Sequence, residues 1–305
     1  MARPLKIGVQ LPEVEREVRW PEILDMVRAI EDLGFDSIWL GEHLLYRWQD
    51  RPPRGPWEAW SSLAAIAAAT SRVAFGPLVA CLGFHNPAVL AKQADTIDEI
   101  SGGRFVFGVG AGWNETEFRA FGVPFDHRID RFEEAFTIIR GLLRDRAIDF
   151  EGTYFSARDC ELLPHGPRPD GPPLMIGSNG PRMLRITTPH VDLWNSWYSD
   201  TGNTPAGVAP LREIVDAACV DVGRPPGEIE RTVAVHVRLP GGGGRTMGDY
   251  SEKQAVAPLE GTADEMPDVL RAYAREGISH VQLVLDPIDR PSIERFARVL
   301  AVLDA

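Results

Sequence analysis

The sequence predicts an α/β fold, a (β/α)8 TIM barrel with an insertion after its fourth βα unit, and three observations carry that prediction. Short apolar runs alternate with helix-period segments from one end of the chain to the other, the pattern of βα units around a parallel sheet. The alternation counts to eight units. No shift in composition marks the second domain that an open doubly wound sheet of this length would carry. With 305 residues, 44% of them hydrophobic, the chain is long enough to bury one large core, so residues 1–305 read as a single domain with an insertion at about 151–173.

The first unit is a strand from Lys6 to Leu11 and a helix from Trp20 to Leu33, whose Ile23, Leu24, Val27 and Ile30 share one face and whose end is marked by Gly34. A strand Ser37 to Leu40 runs into Gly41-Glu42-His43 and is followed by an Ala-rich helix, Pro56 to Thr70. The third unit is a strand Val73 to Leu82 and a helix Pro87 to Ile100 with proline in its first turn; Gly102-Gly103 then separates it from a strand Arg104 to Val109. After a helix Ile129 to Leu143 comes a Pro/Gly-rich passage from Glu151 to Pro173, too long for a minimal unit and read as an insertion over one barrel face. The rhythm resumes with strands Pro173 to Gly177, Val191 to Ser196, Glu230 to Leu239 and Ser279 to Leu285. The matching helices are Pro181 to Thr187, Ala206 to Val222, Asp264 to Glu276 and Pro291 to Leu303. The tract Pro240 to Gly244 and the polar stretch through Val256 read as a loop.

Composition excludes several function classes. A net charge of −12 disfavours a phosphate-backbone partner, so no nucleic-acid role is expected. Cys81, Cys160 and Cys219 are far apart, without CxxC spacing or a histidine cluster, which supports neither a metal site nor a disulfide framework. No polybasic patch, signal segment or run of membrane-spanning length stands out, so no membrane role is expected and the chain reads as soluble and cytoplasmic. P-loop, Ser-His-Asp, metal-ligand and paired-carboxylate signatures are missing, which removes most hydrolase readings.

In a (β/α)8 barrel the reactive groups come from the C-terminal ends of the strands. Those positions hold Gln10, Glu42 and His43, Val79 and Cys81, the run Gly110-Ala111-Gly112-Trp113-Asn114, Ser178-Asn179-Gly180, and Asn195 with Trp197. Gly108 to Gly112 follows an apolar run directly; glycines there let a flat or anionic ligand approach the backbone, and they equally suit a tight strand-to-loop turn. His43 beside Glu42 has the chemistry of a proton donor or acceptor near neutral pH, or of a hydrogen-bonded rim histidine. Gly177-Ser178-Asn179-Gly180-Pro181-Arg182 is a glycine loop opening a helix, suited to a phosphate or to ordinary helix capping. Trp48, Trp57, Trp60, Trp113, Trp194 and Trp197 gather on the same side and offer surface to a planar ligand or to the core.

These segments resemble the luciferase-like monooxygenase superfamily, and within it the oxidoreductases that use the deazaflavin coenzyme F420. The resemblance spans nearly the whole chain. It is carried by Trp39-Leu40-Gly41-Glu42-His43, by His85-Asn86-Pro87 with Leu90-Ala91-Lys92-Gln93, and by Ser101-Gly102-Gly103-Arg104-Phe105 with Gly108 to Asn114. Phe118 to Pro124, Pro173 to Ser178, Gly180-Pro181-Arg182 and Asp192-Leu193-Trp194-Asn195 extend it. It implies a (β/α)8 barrel that binds its ring at the strand C-termini, over a third-strand bulge with a non-proline cis peptide at Leu78-Val79. Gly110 to Asn114 and Cys81 would stand around the ring, and Gly177 to Gly180 with Arg182 around the phosphate. It further implies Glu42 as an acidic residue near the ring and His43 as acid/base. Phe84-His85-Asn86-Pro87 and Leu193 depart from the family pattern, and the acidic position some relatives use after the glycines is Trp113 here, so Glu115 is given no catalytic role.

The function so implied is an F420-dependent transfer of hydride to or from a small-molecule substrate. The substrate pocket would be built from Tyr46 to Trp57, the insertion and the glycine tract. An FMN-dependent monooxygenase, using reduced flavin, oxygen and a reductase partner, is the alternative; a non-catalytic flavin-binding barrel is a third. Dimers are common among such relatives, so a homodimer is expected.

Overall fold

The computed structural model describes residues 3–245, 247 and 256–305, so residues 246 and 248–255 of the predicted 240–256 loop lie outside the described residues. The chain runs β1 (Lys6–Gln10), α1 (Trp20–Asp32), β2 (Ser37–Leu40), α2 (Ala59–Ala69), β3 (Ala74–Pro77), β4 (Ala80–Cys81), α3 (Pro87–Ser101) and β5 (Phe107–Gly110). Then follow α4 (Glu115–Ala120), α5 (Arg128–Asp145), β6 (Ala147–Glu151), β7 (Ser156–Glu161), β8 (Leu174–Ile176), α6 (Pro181–Thr187), β9 (Leu193–Ser196) and α7 (Val208–Asp221). Last come β10 (Glu230–Arg238), α8 (Met266–Arg275), β11 (His280–Asp286) and α9 (Arg290–Asp304).

Nine parallel strand segments hydrogen-bond in the order β3-β2-β1-β11-β10-β9-β8-β5-β4. The two end segments, β3 and β4, are successive pieces of one stave, and a parallel bridge from Phe75 to Phe105 ties β3 back to the residues before β5. The result is the eight-staved barrel that the repeat predicts. β10 and β11 are buried over most of their length, as strands covered on both faces must be. Among the described residues, no helix is long and apolar enough to cross a membrane.

Helix α1 shows how closely periodicity placed the outer layer. Ile23, Met26, Val27 and Ile30 form its buried stripe, spaced i, i+3, i+4, i+7, and the chain turns at Gly34 with φ +85°. Leu24, predicted on that face, is only half-buried, and Met26 takes its place. Helix α2 starts at Ala59, later than Pro56, because the Glu58 carboxylate accepts from the Trp60 and Ser61 amides and so caps the helix there.

Two larger differences lie near the mouth. The third stave is not one continuous strand from Val73 to Leu82: it breaks at a cis peptide between Leu78 and Val79, and Leu82–Phe84 is a 3-10 turn. Pro77 has no amide to donate, and the Val79 side chain sits where Cβ atoms at Gly108, Gly110 and Gly177 would stand. The passage between α5 and β8 contains an antiparallel hairpin, β6 with β7, which the Pro/Gly-rich composition hides.

The barrel lumen is filled. Trp39, Leu78, Met175, Leu193, Tyr198, Ala234 and Val284 form a buried cluster, and Trp39 lies over Gly8, where a Cβ would collide with Ser37 Oγ. Beside it, Trp39 Nε1 donates to Ser37 Oγ (2.7 Å), and Ser37 Oγ also bonds His280 Nε2 (2.7 Å). Burial, with Lys6 nearby, pushes the His280 pKa down to about 3 and keeps that ring neutral. With the lumen so filled, a ligand of the barrel would sit above the strand ends.

Candidate functional site

Above the plug, at the C-terminal ends of the staves, lies a cavity of about 390 Å³, within the usual range for small-molecule sites. Its wall includes Glu42, His43, Leu78, Val79, Cys81, Gly110, Ala111, Gly112, Trp113, Gly177 and Ser178. Asn114, Asn179, Gly180 and Arg182 are not part of it. Asn114 is buried and donates to the Leu45 carbonyl (3.0 Å); Asn179 Nδ2 donates to Asp200 (3.0 Å); the Gly180 amide donates to Ser178 Oγ (3.3 Å). Arg182, on the outer side of α6, pairs with Asp130 (2.6 Å) and Glu133 (2.8 Å) of α5.

The glycine run acquires a specific purpose. A Cβ on Gly108 would collide with the Pro77 carbonyl oxygen and come within 2.9 Å of Val79 Cγ1, and one on Gly110 would lie 2.8 Å from Val79 Cγ2. A Cβ on Gly177, one stave further, would lie 3.0 Å from Val79 Cγ1. Gly112 has φ +74° and sits against Cys81 Sγ and the Phe118 ring. These glycines therefore admit the bulge, and the bulge presents Leu78 and Val79 to the cavity floor.

Glu42 fastens the far side of that bulge. Its Oε2 accepts from the Cys81 amide (2.7 Å), while Oε1 accepts from Trp60 Nε1 (2.8 Å) and bonds His85 Nε2 (2.8 Å). All its strong contacts are thus to the frame of the site. The Cys81 thiol is buried next to this carboxylate, and burial followed by the Glu42 charge raises its pKa well above the ordinary thiol value.

His43 stands between two carboxylates. Its Nδ1 bonds Glu117 Oε1 (2.9 Å), and its Nε2 lies 3.5 Å from Glu13 Oε1. Glu117 is itself fixed, since its Oε2 accepts from the Leu44 amide (2.7 Å). Burial alone would lower the His43 pKa; the charges of Glu13 and Glu117 and the Glu117 hydrogen bond outweigh it, so the pKa is raised. Tyr46 packs against the imidazole at 4.8 Å and Trp113 meets it edge-on at 5.3 Å. Glu13 also accepts from Gln10 Nε2 (2.9 Å) and the Tyr46 hydroxyl (2.9 Å), and it pairs with Arg245, whose other amino group reaches Glu15 at 2.8 Å.

Glu13, Glu117, Arg128 and Asp200 on the cavity wall, and Arg245 behind Glu13, are charged residues of this site that strand-end reasoning missed. Glu117 was within reach: α4 is one short helix whose inner face carries Glu117 and Phe118, and only Glu115, two residues earlier, drew notice. Arg128 opens α5, lines the cavity and donates to the Gly112 carbonyl. Of the six tryptophans singled out, Trp113 and Trp197 line the cavity; Trp60 and Trp194 are core, Trp48 packs against Tyr46 outside the cavity lining, and Trp57 is half exposed.

Comparison with known proteins places this geometry among relatives. A family model described as luciferase-like monooxygenase matches residues 6–239. The chain is 32% identical over 182 residues to the 5,10-methylenetetrahydromethanopterin reductase of Archaeoglobus fulgidus, covering 60% of this chain and 50% of that one. It is 34% identical over 171 residues to the F420-dependent glucose-6-phosphate dehydrogenase of Intrasporangium calvum, covering 54% and 50%. The chain spans about half the length of these curated relatives. Among solved structures, an F420-dependent secondary alcohol dehydrogenase in complex with an F420-acetone adduct superposes with a TM-score of 0.81 at 20% identity, covering 99% of both chains, a likeness of fold.

Proposed function

The chain belongs to the luciferase-like monooxygenase family, and on that premise we propose that it is an F420-dependent oxidoreductase, moving hydride between the deazaflavin and a small organic substrate. The observation that carries this reading is His43, held between Glu117 and Glu13 on the wall of the same cavity whose floor is the Leu78–Val79 bulge.

The residues present fit such a cofactor. Gln10 lines the cavity, is 2% exposed, and carries an Oε1 with no partner, an acceptor ready for a polar ring edge. Leu78, Val79 and the wall from Gly110 to Trp113 would hold the ring. Gly177 and Ser178, with Arg128 as the lining's cation, would hold the phosphate. Bound there, the reduced deazaflavin supplies a hydride, and its oxidised form accepts one.

The chain's own residues govern the proton and the water. Glu117 Oε1 accepts a hydrogen bond from His43 Nδ1–H and fixes the ring, which leaves Nε2 as the atom that gives a proton to, or takes it from, a substrate oxygen. The raised pKa keeps that proton in place nearer to neutral pH. Trp113, Trp197 and Met247 line the cavity and would give a bound ring or substrate apolar surface in place of water. Glu42 keeps the bulge in place through the Cys81 amide and acts as a positioning residue.

Fluorescence titration of the purified protein with F420 and with FMN tests the reading. We expect saturable F420 binding, tighter than FMN. Tight FMN binding with negligible F420 affinity would replace it with a flavin monooxygenase that needs a reductase partner, and binding of neither would leave a non-catalytic barrel.

A further inference from the structure

Among the described residues, Glu13 accepts three hydrogen bonds, and none of them comes from His43. Its Oε1 accepts from the Tyr46 hydroxyl (2.9 Å); its Oε2 accepts from Gln10 Nε2 (2.9 Å) and from the Arg245 guanidinium. His43 Nε2 lies 3.5 Å from Oε1, outside ordinary hydrogen-bond range, although both groups are buried and attract one another whenever the ring is protonated. The Arg245 side chain, 3% exposed, reaches Glu13 from the glycine tract after β10. The Gly243 and Gly244 amides donate to the Asp286 carboxylate at the end of β11 (3.3 and 2.7 Å), which aims the next residue at the β1–α1 loop. There the second amino group of Arg245 pairs with Glu15 Oε1 (2.8 Å), while Glu15 Oε2 accepts from the Glu13 and Val14 amides (2.8 and 2.9 Å) and fixes the turn.

We propose that Arg245 is a positioning residue for His43: it holds Glu13 through Oε2, keeps that carboxylate from closing on Nε2, and so leaves the Nε2 proton to the substrate. The inference rests on the functional reading above and adds to it the residue that sets how readily His43 gives its proton up. Without the guanidinium, Glu13 would keep only the neutral donors Gln10 and Tyr46, and among the described residues the cation left facing this desolvated carboxylate would be the imidazole. A closed Glu13–Nε2 bond would hold the proton and occupy the atom that a substrate oxygen needs. The other charged groups around the ring are committed elsewhere: Glu117 to Nδ1 and the Leu44 amide, Glu42 to the Cys81 amide, Trp60 and His85, Asp200 to Asn179, and Arg128 to the Gly112 carbonyl. The Tyr46 and Tyr198 phenols and the Cys81 thiol, raised chiefly by burial, stay protonated at neutral pH. For His43 itself, burial and the Arg245 charge work against the two carboxylates.

An NMR titration of the His43 ring in the full chain without F420 tests this, with the signal assigned by its loss in His43→Gln. Arg245→Met should raise the His43 pKa by about 0.5 or more, and Arg245→Lys, which keeps the charge, should return most of that rise. A merely structural role would lower the urea midpoint and leave the ring's titration where it was, so an unchanged His43 pKa in folded Arg245→Met overturns the proposal. Arg245→Met leaves two buried carboxylates without their cation, and where that variant does not fold, Arg245→Met combined with Glu15→Gln takes its place. A rise is expected there too, and its absence counts equally against the proposal. In a Glu13→Gln background, Arg245→Met should move the His43 pKa by less than about 0.2. A rise as large as in the wild-type background would overturn the route through Glu13. The two readings fail separately: these titrations need no cofactor, so failure to bind F420 sinks the functional reading alone, and F420 binding with an unmoved His43 sinks this inference alone.

Discussion

The loop after β2 and the first turn of the helix after β8 each carry a basic residue that follows a strand end, and the molecule treats the two in opposite ways. The His43 side chain is 13% exposed, and its partner Glu117 only 1%. The Arg182 side chain is 46% exposed, and both of its partners, Asp130 and Glu133, lie on the outer flank of α5. The first pair is sealed under Tyr46 and Trp113, where charge and hydrogen bonding shift a pKa; the second is bathed in solvent, where such pairs contribute little. Position at a strand end therefore nominates a residue, and desolvation decides what it can do.

The sharpest way to break that comparison is His43→Ala. Loss of a positioned acid/base should lower turnover by about 10²–10⁴-fold while F420 affinity stays within about threefold. Paired steady-state kinetics and fluorescence binding would read both, and unchanged turnover would remove His43 from the chemistry.

Next in size is the frame beneath it. Gly108→Ala puts a methyl group into the Pro77 carbonyl and the Val79 side chain, so the bulge or β5 must move. Overpacking of this kind costs about 1–3 kcal/mol, and a urea unfolding curve would show it. The same variant should weaken cofactor binding, because the cavity floor is the bulge. Full stability and full affinity together would mean that the glycines are not there for the bulge.

A smaller effect is expected from Glu117→Gln, which leaves the shape and removes the charge. His43 has a raised pKa in the folded protein, so its ionised form contributes stability that is complete below its unfolded value of about 6.5 and is lost as pH rises through the folded value. Removing the Glu117 charge should lower the His43 pKa toward the unfolded value and flatten the fall in stability that sets in as pH rises above about 6.5. NMR titration of the His43 ring, with urea midpoints across the same range, would check the sign. A His43 pKa unchanged by the substitution would leave Glu13 as the dominant neighbour.

Much of this frame was legible in the sequence because its signals are periodic. The i, i+3, i+4, i+7 stripe of α1 and the apolar runs of β10 and β11 repeat within short windows, and eight such alternations define the barrel. Leu78–Val79 lay inside an apolar run that pattern alone reads as unbroken strand; only the family likeness marked it, and the reason for the break is a contact with glycines about thirty residues and one hundred residues away. The charged site was harder to read. Glu13 and Arg245 are 232 positions apart, and no local pattern announces an ion pair across that distance. Glu117 belonged to a six-residue helix, too short for a clear period, yet its neighbour Phe118 showed which way that face would turn.

The smallest expected effect is Arg182→Ala, and it sharpens the contrast most directly. Pro181 and Gly180 open a helix of only seven residues, and Arg182 leans from it toward α5 and away from the cavity wall. Its charge is met by Asp130 and Glu133, which lowers the attraction it can offer an anion. Because all three groups are exposed, salt and water screen them in the wild type already. The variant should unfold at the same urea concentration and bind F420 within about twofold, whereas Arg128→Ala, which removes the cavity wall's own cation, should weaken F420 binding about tenfold or more. Fluorescence titration of the two variants side by side gives the ratio. A larger loss for Arg182→Ala would place the phosphate on the outer face of α6, and would mean that the screened helix turn, and not the sealed cavity wall, anchors the cofactor.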